Sequence, residues 1–335
     1  MSRRMTKKTR SFVLVSGAIL IIGLATGLVA SYLGLPVSLL SNAAGPGELQ
    51  YVPQNAAVVA YANVRDVMNS EFRQRFRALE PQSAEREEFE QRTGVRIDQD
   101  IDSIVAAFIP GAQATTDHPE RNAVVLARGR FEAGRLEALA LEHGGTAEDY
   151  KGKRLLSHQV QTAPQDGQMA LGFVESDLVA LGSLESVKQA IDAGLDNRNV
   201  MSNNELMRLV AELDSSNAWA VGRFDALARE ARLPSDVQAQ LPAVTFFSAA
   251  GHINGGLSGV LKAEARDEAA AQNLRDVVRG FLAMARLQSG SRPGIQQMVE
   301  SLQLSGEGTT VALSFNLPSE FFDALEAIAR QKRAQ

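Results

Sequence analysis

The chain has no cysteine among its 335 residues, a single tryptophan and four histidines. Without thiols there can be no disulfide framework, no thiolate metal site and no acylated N-terminal cysteine, so any folded part is held by its core alone. The four histidines, His118, His143, His158 and His252, are far apart, and none has a metal-ligand partner three or four residues away. Basic residues are also scarce where nucleic acid would need them. Five of the 34 precede the first apolar run, leaving 29 basic against 39 acidic groups, a formal charge of −10. That argues against nucleic acid as a partner, since phosphate contacts need clustered Lys and Arg, and against flat adsorption on an anionic leaflet.

What is present is a greasy N-terminus. Phe12 to Leu35 contains no charged residue, and Arg3, Arg4, Lys7, Lys8 and Arg10 stand immediately before it. As a helix these residues reach about 36 Å, enough to cross a hydrocarbon core of about 30 Å. The basic flank predicts a cytoplasmic N-terminus and an exported body. A signal peptide cut after Ala43 is the competing reading, but its apolar region is normally only about 7–15 residues. Gly23 and Gly27 form a small-xxx-small pair that would admit a homodimer through this helix.

The expected organisation is a cytoplasmic basic tail (1–11), a transmembrane helix (12–35), a linker (36–50) and two tandem pseudo-repeat α+β domains, 51–196 and 203–331. Their sheets are expected to be mostly antiparallel, with helices packed on one face. The repeat is read from a recurring unit: a β-type run, a small or polar residue, an apolar residue, then a group suited to a helix N-terminus. Asn63-Val64-Arg65-Asp66, Gly129-Arg130-Phe131-Glu132 and Gly222-Arg223-Phe224-Asp225 are the clearest copies. Met68, Phe72, Phe76 and Leu79 mark one helical stripe, and Leu274, Val277, Val278, Phe281, Leu282 and Ala285 mark the core face of a long helix over 267–287. Asn254-Gly255, Lys151-Gly152, Glu175-Ser176-Asp177 and Gly306-Glu307-Gly308 read as hairpin turns. The first half reads β-α-β-β-α-β-β-β-α and the second β-α-β-β-α-α-β-β-α, with the joint near Asp196 to Asn204.

Reactive motifs fail one by one. Asp98, Asp100 and Asp102 begin like a calcium loop, but its sixth position is Ser103 and its twelfth Ile109. Gly256-Leu257-Ser258-Gly259 lacks the second glycine of a nucleophile elbow, and no lysine follows a serine at Ser-x-x-Lys spacing. Gly152-Lys153 has no P-loop context, and Gly251, Gly255, Gly256 and Gly259 lack the dinucleotide spacing. Arg65, Arg73, Arg75 and Arg77 form a basic helix face accompanied by Glu71 and Glu80, read as solvated. No cofactor and no metal is expected.

Tyr51-Val52-Pro53-Gln54-Asn55-Ala56, the segment from Gly94-Val95-Arg96-Ile97-Asp98 to Asp102-Ser103, and Gly129-Arg130-Phe131 together resemble a family of bacterial envelope proteins. These carry one N-terminal span and an exported domain of unknown function. The resemblance implies a location but no catalytic residue. The expected function is therefore a non-enzymatic, membrane-anchored protein in the cytoplasmic (inner) membrane of a bacterium, with a periplasmic or extracellular body that binds or scaffolds a protein partner. The alternatives are an exported carrier of a small apolar or lipid ligand held between the two halves, and a hydrolase whose His143, His158 or His252 meets an acid and a serine.

Overall fold

In the computed structural model the described residues are 46–71, 73, 84–110, 122–159, 168–213, 216–226, 243–289 and 293–317. The anchor residues Phe12, Gly23, Gly27 and Leu35, the flank Arg3, Arg4, Lys7, Lys8 and Arg10, and the stripe positions Phe72, Phe76 and Leu79 lie outside them. Among the described residues no helix is long and apolar enough to cross a membrane.

Among the described residues twelve strands form one sheet: β1 (Val58–Asn63), β2 (Ile101–Phe108), β3 (Ala123–Gly129), β4 (Thr146–Tyr150), β5 (Lys153–Gln159), β6 (Gln168–Glu175), β7 (Leu178–Ser183), β8 (Ala218–Arg223), β9 (Val244–Ile253), β10 (Leu257–Ala265), β11 (Gln303–Ser305) and β12 (Thr310–Leu317). Their order is β11-β12-β10-β9-β8-β1-β2-β3-β7-β6-β5-β4, and every neighbouring pair is antiparallel. The fold is therefore α+β, as expected. The halves do not close separate sheets. They join through β1 and β8, with Ala60 opposite Ala220. Outward from that pair the order β1-β2-β3-β7-β6 is matched by β8-β9-β10-β12-β11.

The helices are α1 (Val64–Asn69), α2 (Ala84–Thr93), α3 (Ile97–Asp100), α4 (Ala133–Glu142), α5 (Leu184–Asp196), α6 (Asn204–Ala211), α7 (Glu268–Ser289) and α8 (Pro293–Ser301). They lie on both faces of the sheet, which corrects the expected single helical face. On the first face, Tyr61, Val105, Leu126, Ala180 and Leu155 share a core with α5, α6 and the 3-10 turn Gly47–Tyr51. A side chain at Gly172 would strike Val187 of α5, so this glycine sets how closely that helix sits. α5 starts cleanly because Ser183 accepts from the Ser186 N–H, and it ends at Asn197 in the left-handed region. On the opposite face, α4 reaches Arg154 of β5 through Glu137. There too Ala270 and Ala271 of α7 pack with Val311, joined by Leu304.

The second face carries an unusual cross-strand row. Leu171, Leu181, Val125, Ala106, Ala60, Ala220, Ala249, Leu261, Leu313 and Leu304 are successive partners across ten strands. The row has small residues at the centre and large ones at both ends, with no polar member. Both edges of the sheet are blunted against further pairing: β11 has three residues, and β4 carries Glu148 and Asp149. Local pattern does not announce β4, because its Thr-Ala-Glu-Asp-Tyr composition hides it. It is specified by the turn, where Lys151 (φ 52°) and Gly152 (φ 79°) both take the left-handed conformation of a tight hairpin.

At Gly129 a methyl group would sit 2.1 Å from the Asp100 carbonyl oxygen and 2.9 Å from the Ile101 Cα. Both obstacles are backbone and cannot swing away. Gly129→Ala should lower stability by about 1–3 kcal/mol, read by urea unfolding; an unchanged midpoint would show that β2 and β3 can separate there freely.

Candidate functional site

The most unusual chemistry lies where the chain enters the sheet. The linker was expected to run to Gln50, but Glu48 and Leu49 are buried and belong to the core. The strap Pro46–Pro53 crosses the first face beneath α5 and beside the Val200–Ser202 turn. Leu49 and Val52 are fully buried. Val200 donates its N–H to the Val52 carbonyl, Gln54 donates to that of Arg198, and Pro53 forms an isolated bridge with Asn199.

The polar side of the strap meets one guanidinium. Arg128 at the end of β3 donates to Glu48 (2.9 Å), Glu175 (2.9 Å) and Asp177 (2.9 Å). Glu48 also accepts from Ser103 Oγ at 2.5 Å, while Tyr51 and Gln50 donate to Glu175 at 2.9 and 3.2 Å. Three carboxylates thus share one cation. Burial opposes the charge of Arg128, yet the hydrogen bonds it donates to Asp177, Glu175 and Glu48 outweigh it and raise its affinity for the proton. Burial, then the hydrogen bond to Glu175 and its charge, pushes the Tyr51 phenol up to about 12. A raised folded pKa stabilises the fold fully below the unfolded value of 10.0, and that contribution is lost as pH rises through 12. Tyr51→Phe should therefore flatten the loss of stability between pH 10 and 12; an unaltered alkaline limb would place Tyr51 in water.

On the other side of the same strand ends, Asp100 accepts from the Arg96 N–H (2.9 Å), from Arg96 Nε (3.2 Å) and from Arg130 Nη2 (2.9 Å). Burial alone would raise its pKa, but these donors hold it below the ordinary carboxylate range. Arginines, then, occupy the carboxylate that the calcium-loop pattern would have used. Asp100 contributes stability above its unfolded pKa, lost as pH falls through the lower folded value. Arg65 pairs with Asp102, and Arg73 is buried, its Nε on Met68 Sδ, rather than solvated. Arg75 and Arg77 lie outside the described residues.

The sheet does bring a histidine beside a serine and an acid. His252 and Ser258 are direct cross-strand partners at the end of the β9–β10 hairpin, and the pKa of the Asp66 carboxyl of α1 is raised by burial against the opposing influence of the nearby His252. No hydrogen bond joins the three, and His252 is exposed. A working nucleophile and its base lie about 2.6–3.2 Å apart once the site is assembled, and these side chains are not so joined here. A fluorophosphonate probe is expected not to label the protein; labelling abolished by Ser258→Ala would instead make Ser258 a nucleophile. His143 bonds the Leu139 carbonyl and contacts Arg92, and His158 is exposed on β5. His118 lies outside the described residues. Among the described residues no three His, Cys, Asp or Glu side chains converge as a metal site.

A carrier would need an apolar cleft between the halves. Tyr61 and Trp219 fill that junction with ring centroids 5.5 Å apart, and Leu49 and Val52 join the same core. A depression of about 260 Å³ lies over β9 and β10, lined by Arg208, Glu212, Ser248, Lys262, Glu264 and Thr310. Its charges are mutually paired: Arg208 grips Glu264 through two bonds of 2.8 Å, and Glu212 bridges Arg208 and Lys262. This network ties α6 to β10.

The long helix also departs from its pattern. Leu282 is buried as expected, but Val277 is 42% exposed, and Met284 and Leu287, which the expected stripe did not include, are 40% and 85% exposed on the neighbouring side of the helix. The sequence signal was already there, because between 277 and 287 the apolar arc is wider than one core contact requires.

The class defined by this architecture is an α+β protein on one continuous antiparallel sheet. No family model and no curated protein sequence matches the chain. Among solved structures, crystal form I of TP0453 is similar over 84% of this chain and 98% of that one, with a TM-score of 0.46 and 9% identity.

Proposed function

We propose that the chain is a non-enzymatic, single-pass envelope protein whose body binds a partner protein in a membrane complex. The span is Phe12 to Leu35, with the N-terminus in the cytoplasm and the body in the periplasm or outside the cell. The observation that carries this reading is the solvent-facing stripe Val277, Met284 and Leu287 on α7. A folded helix gains nothing from holding three large apolar side chains in water, and such stripes mark surfaces that another molecule covers. The absence of a bonded reactive constellation around His252 and the paired charges at the depression favour binding over catalysis.

The body is a duplication with its joint near Asp196 to Asn204. The matched strand orders and the ten-residue apolar row, which reads alike from either end, support that origin. Gly23 and Gly27 offer a further self-contact in the membrane.

The test is cross-linking of the full chain in native membranes followed by purification in mild detergent. The same partner should return repeatedly, and Met284→Asp with Leu287→Asp should lose it while circular dichroism is unchanged. Recovery of only a lone monomer, or retention of the partner by the variant, ends this reading.

A further inference from the structure

We propose that Pro46–Pro53 is a strap that detaches as a unit from an otherwise intact sheet, giving the protein two tether lengths. Three features make detachment cheap compared with unfolding. First, the strap contributes no strand: its link to the rest of the backbone is the single bridge Pro53–Asn199, made by the bonds Val200 N–H to Val52 and Gln54 N–H to Arg198. Second, its polar latch consists of side chains, with Glu48 on Ser103 and Arg128, and Gln50 and Tyr51 on Glu175. Third, the guanidinium is oversubscribed. When Glu48 leaves, Arg128 keeps Glu175 and Asp177, so no buried cation is orphaned, and Glu48 exchanges a crowded, desolvated place for water. What holds the strap down is chiefly the burial of Leu49 and Val52, set against the ordering of eight residues.

Closed, ten residues separate Leu35 from Pro46, a reach of at most about 35 Å; open, the tether gains roughly 25 Å more. The consequence for distance from a bilayer rests on residues 12–35 being the anchor, but the opening itself does not, so the two can fail separately.

The experiment is native-state amide exchange on the full chain in detergent. The amides of Leu49, Val52, Gln54 and Val200 should exchange together, at least 100-fold faster than those of Val105 and Leu126 in the central strands. Val52→Ala should speed the first group about tenfold or more and leave the second unchanged. Strap amides that exchange at the rate of the central strands, or a Val52→Ala effect equal in both groups, overturns the proposal, because the strap then opens only when the sheet does. In liposomes, quenching of a dye on the body by labelled lipid should fall when Leu49→Asp and Val52→Asp together hold the strap open with Val105 and Leu126 still protected; unchanged quenching in that variant would retain the opening and reject the membrane tether.

Discussion

Trp219→Ala is expected to cost about 3–5 kcal/mol, among the largest losses any single truncation should produce here. Trp219 is 4% exposed and packs against Tyr61, its cross-strand partner on β1. The neighbours in that row on the β8 side are small, Ala250 and then Val260, so nothing can swing in to refill the space. The measurement is urea unfolding by circular dichroism, and a loss below about 1 kcal/mol would mean the junction is loosely packed. Because this is the chain's one tryptophan, its fluorescence in the unmodified protein reports the junction itself. Its transition should coincide with that of the secondary structure, since one sheet runs through both halves. A fluorescence change that precedes the loss of strands would mean the halves part before they unfold.

Arg128→Met should cost about 3 kcal/mol, because it leaves Glu48 in the core and Glu175 and Asp177 beside it without their shared cation. Leucine or methionine can fill the volume but cannot answer the charge. Adding Glu48→Gln in the same chain should restore a substantial part of the loss, since the most buried carboxylate is then neutral. If the double variant is no better than Arg128→Met alone, the penalty comes from lost packing by the arginine stem rather than from charge. The strap should also respond: in Arg128→Met the amides of Leu49 and Val52 should exchange faster than in the parent, because leaving the pocket returns Glu48 to water.

Much of the fold could be read from local pattern, and the reasons are specific. The Lys151-Gly152 turn and the β-type runs on either side of Asn254-Gly255 announce hairpins, because turn chemistry and β propensity are properties of neighbouring residues. The recurrent strand-to-helix unit likewise survives as the starts of α1 and α5 after β1 and β7. What local pattern missed is what depends on distant partners. Thr146–Tyr150 is polar, and it is a strand because the Lys151-Gly152 turn folds it onto β5. Glu48 sits in a segment that follows Gly45-Pro46-Gly47 and resembles a spacer, yet it is buried because Arg128 and Ser103, 80 and 55 residues away, meet it. The apolar Leu49, Tyr51 and Val52 were the available signal.

By itself, then, the sequence determined the uncharged N-terminal run with its basic flank, the α+β composition, the turns, the repeated unit and the want of thiols, all written in adjacent residues. Only the tertiary structure decided that the two halves share one sheet, that helices cover both its faces, that Val277 turns outward and that one arginine gathers three acids around the entering chain. Those outcomes turn on which strands find each other across a hundred residues or more, and hydrogen-bond register at that distance leaves no periodic trace in the chain.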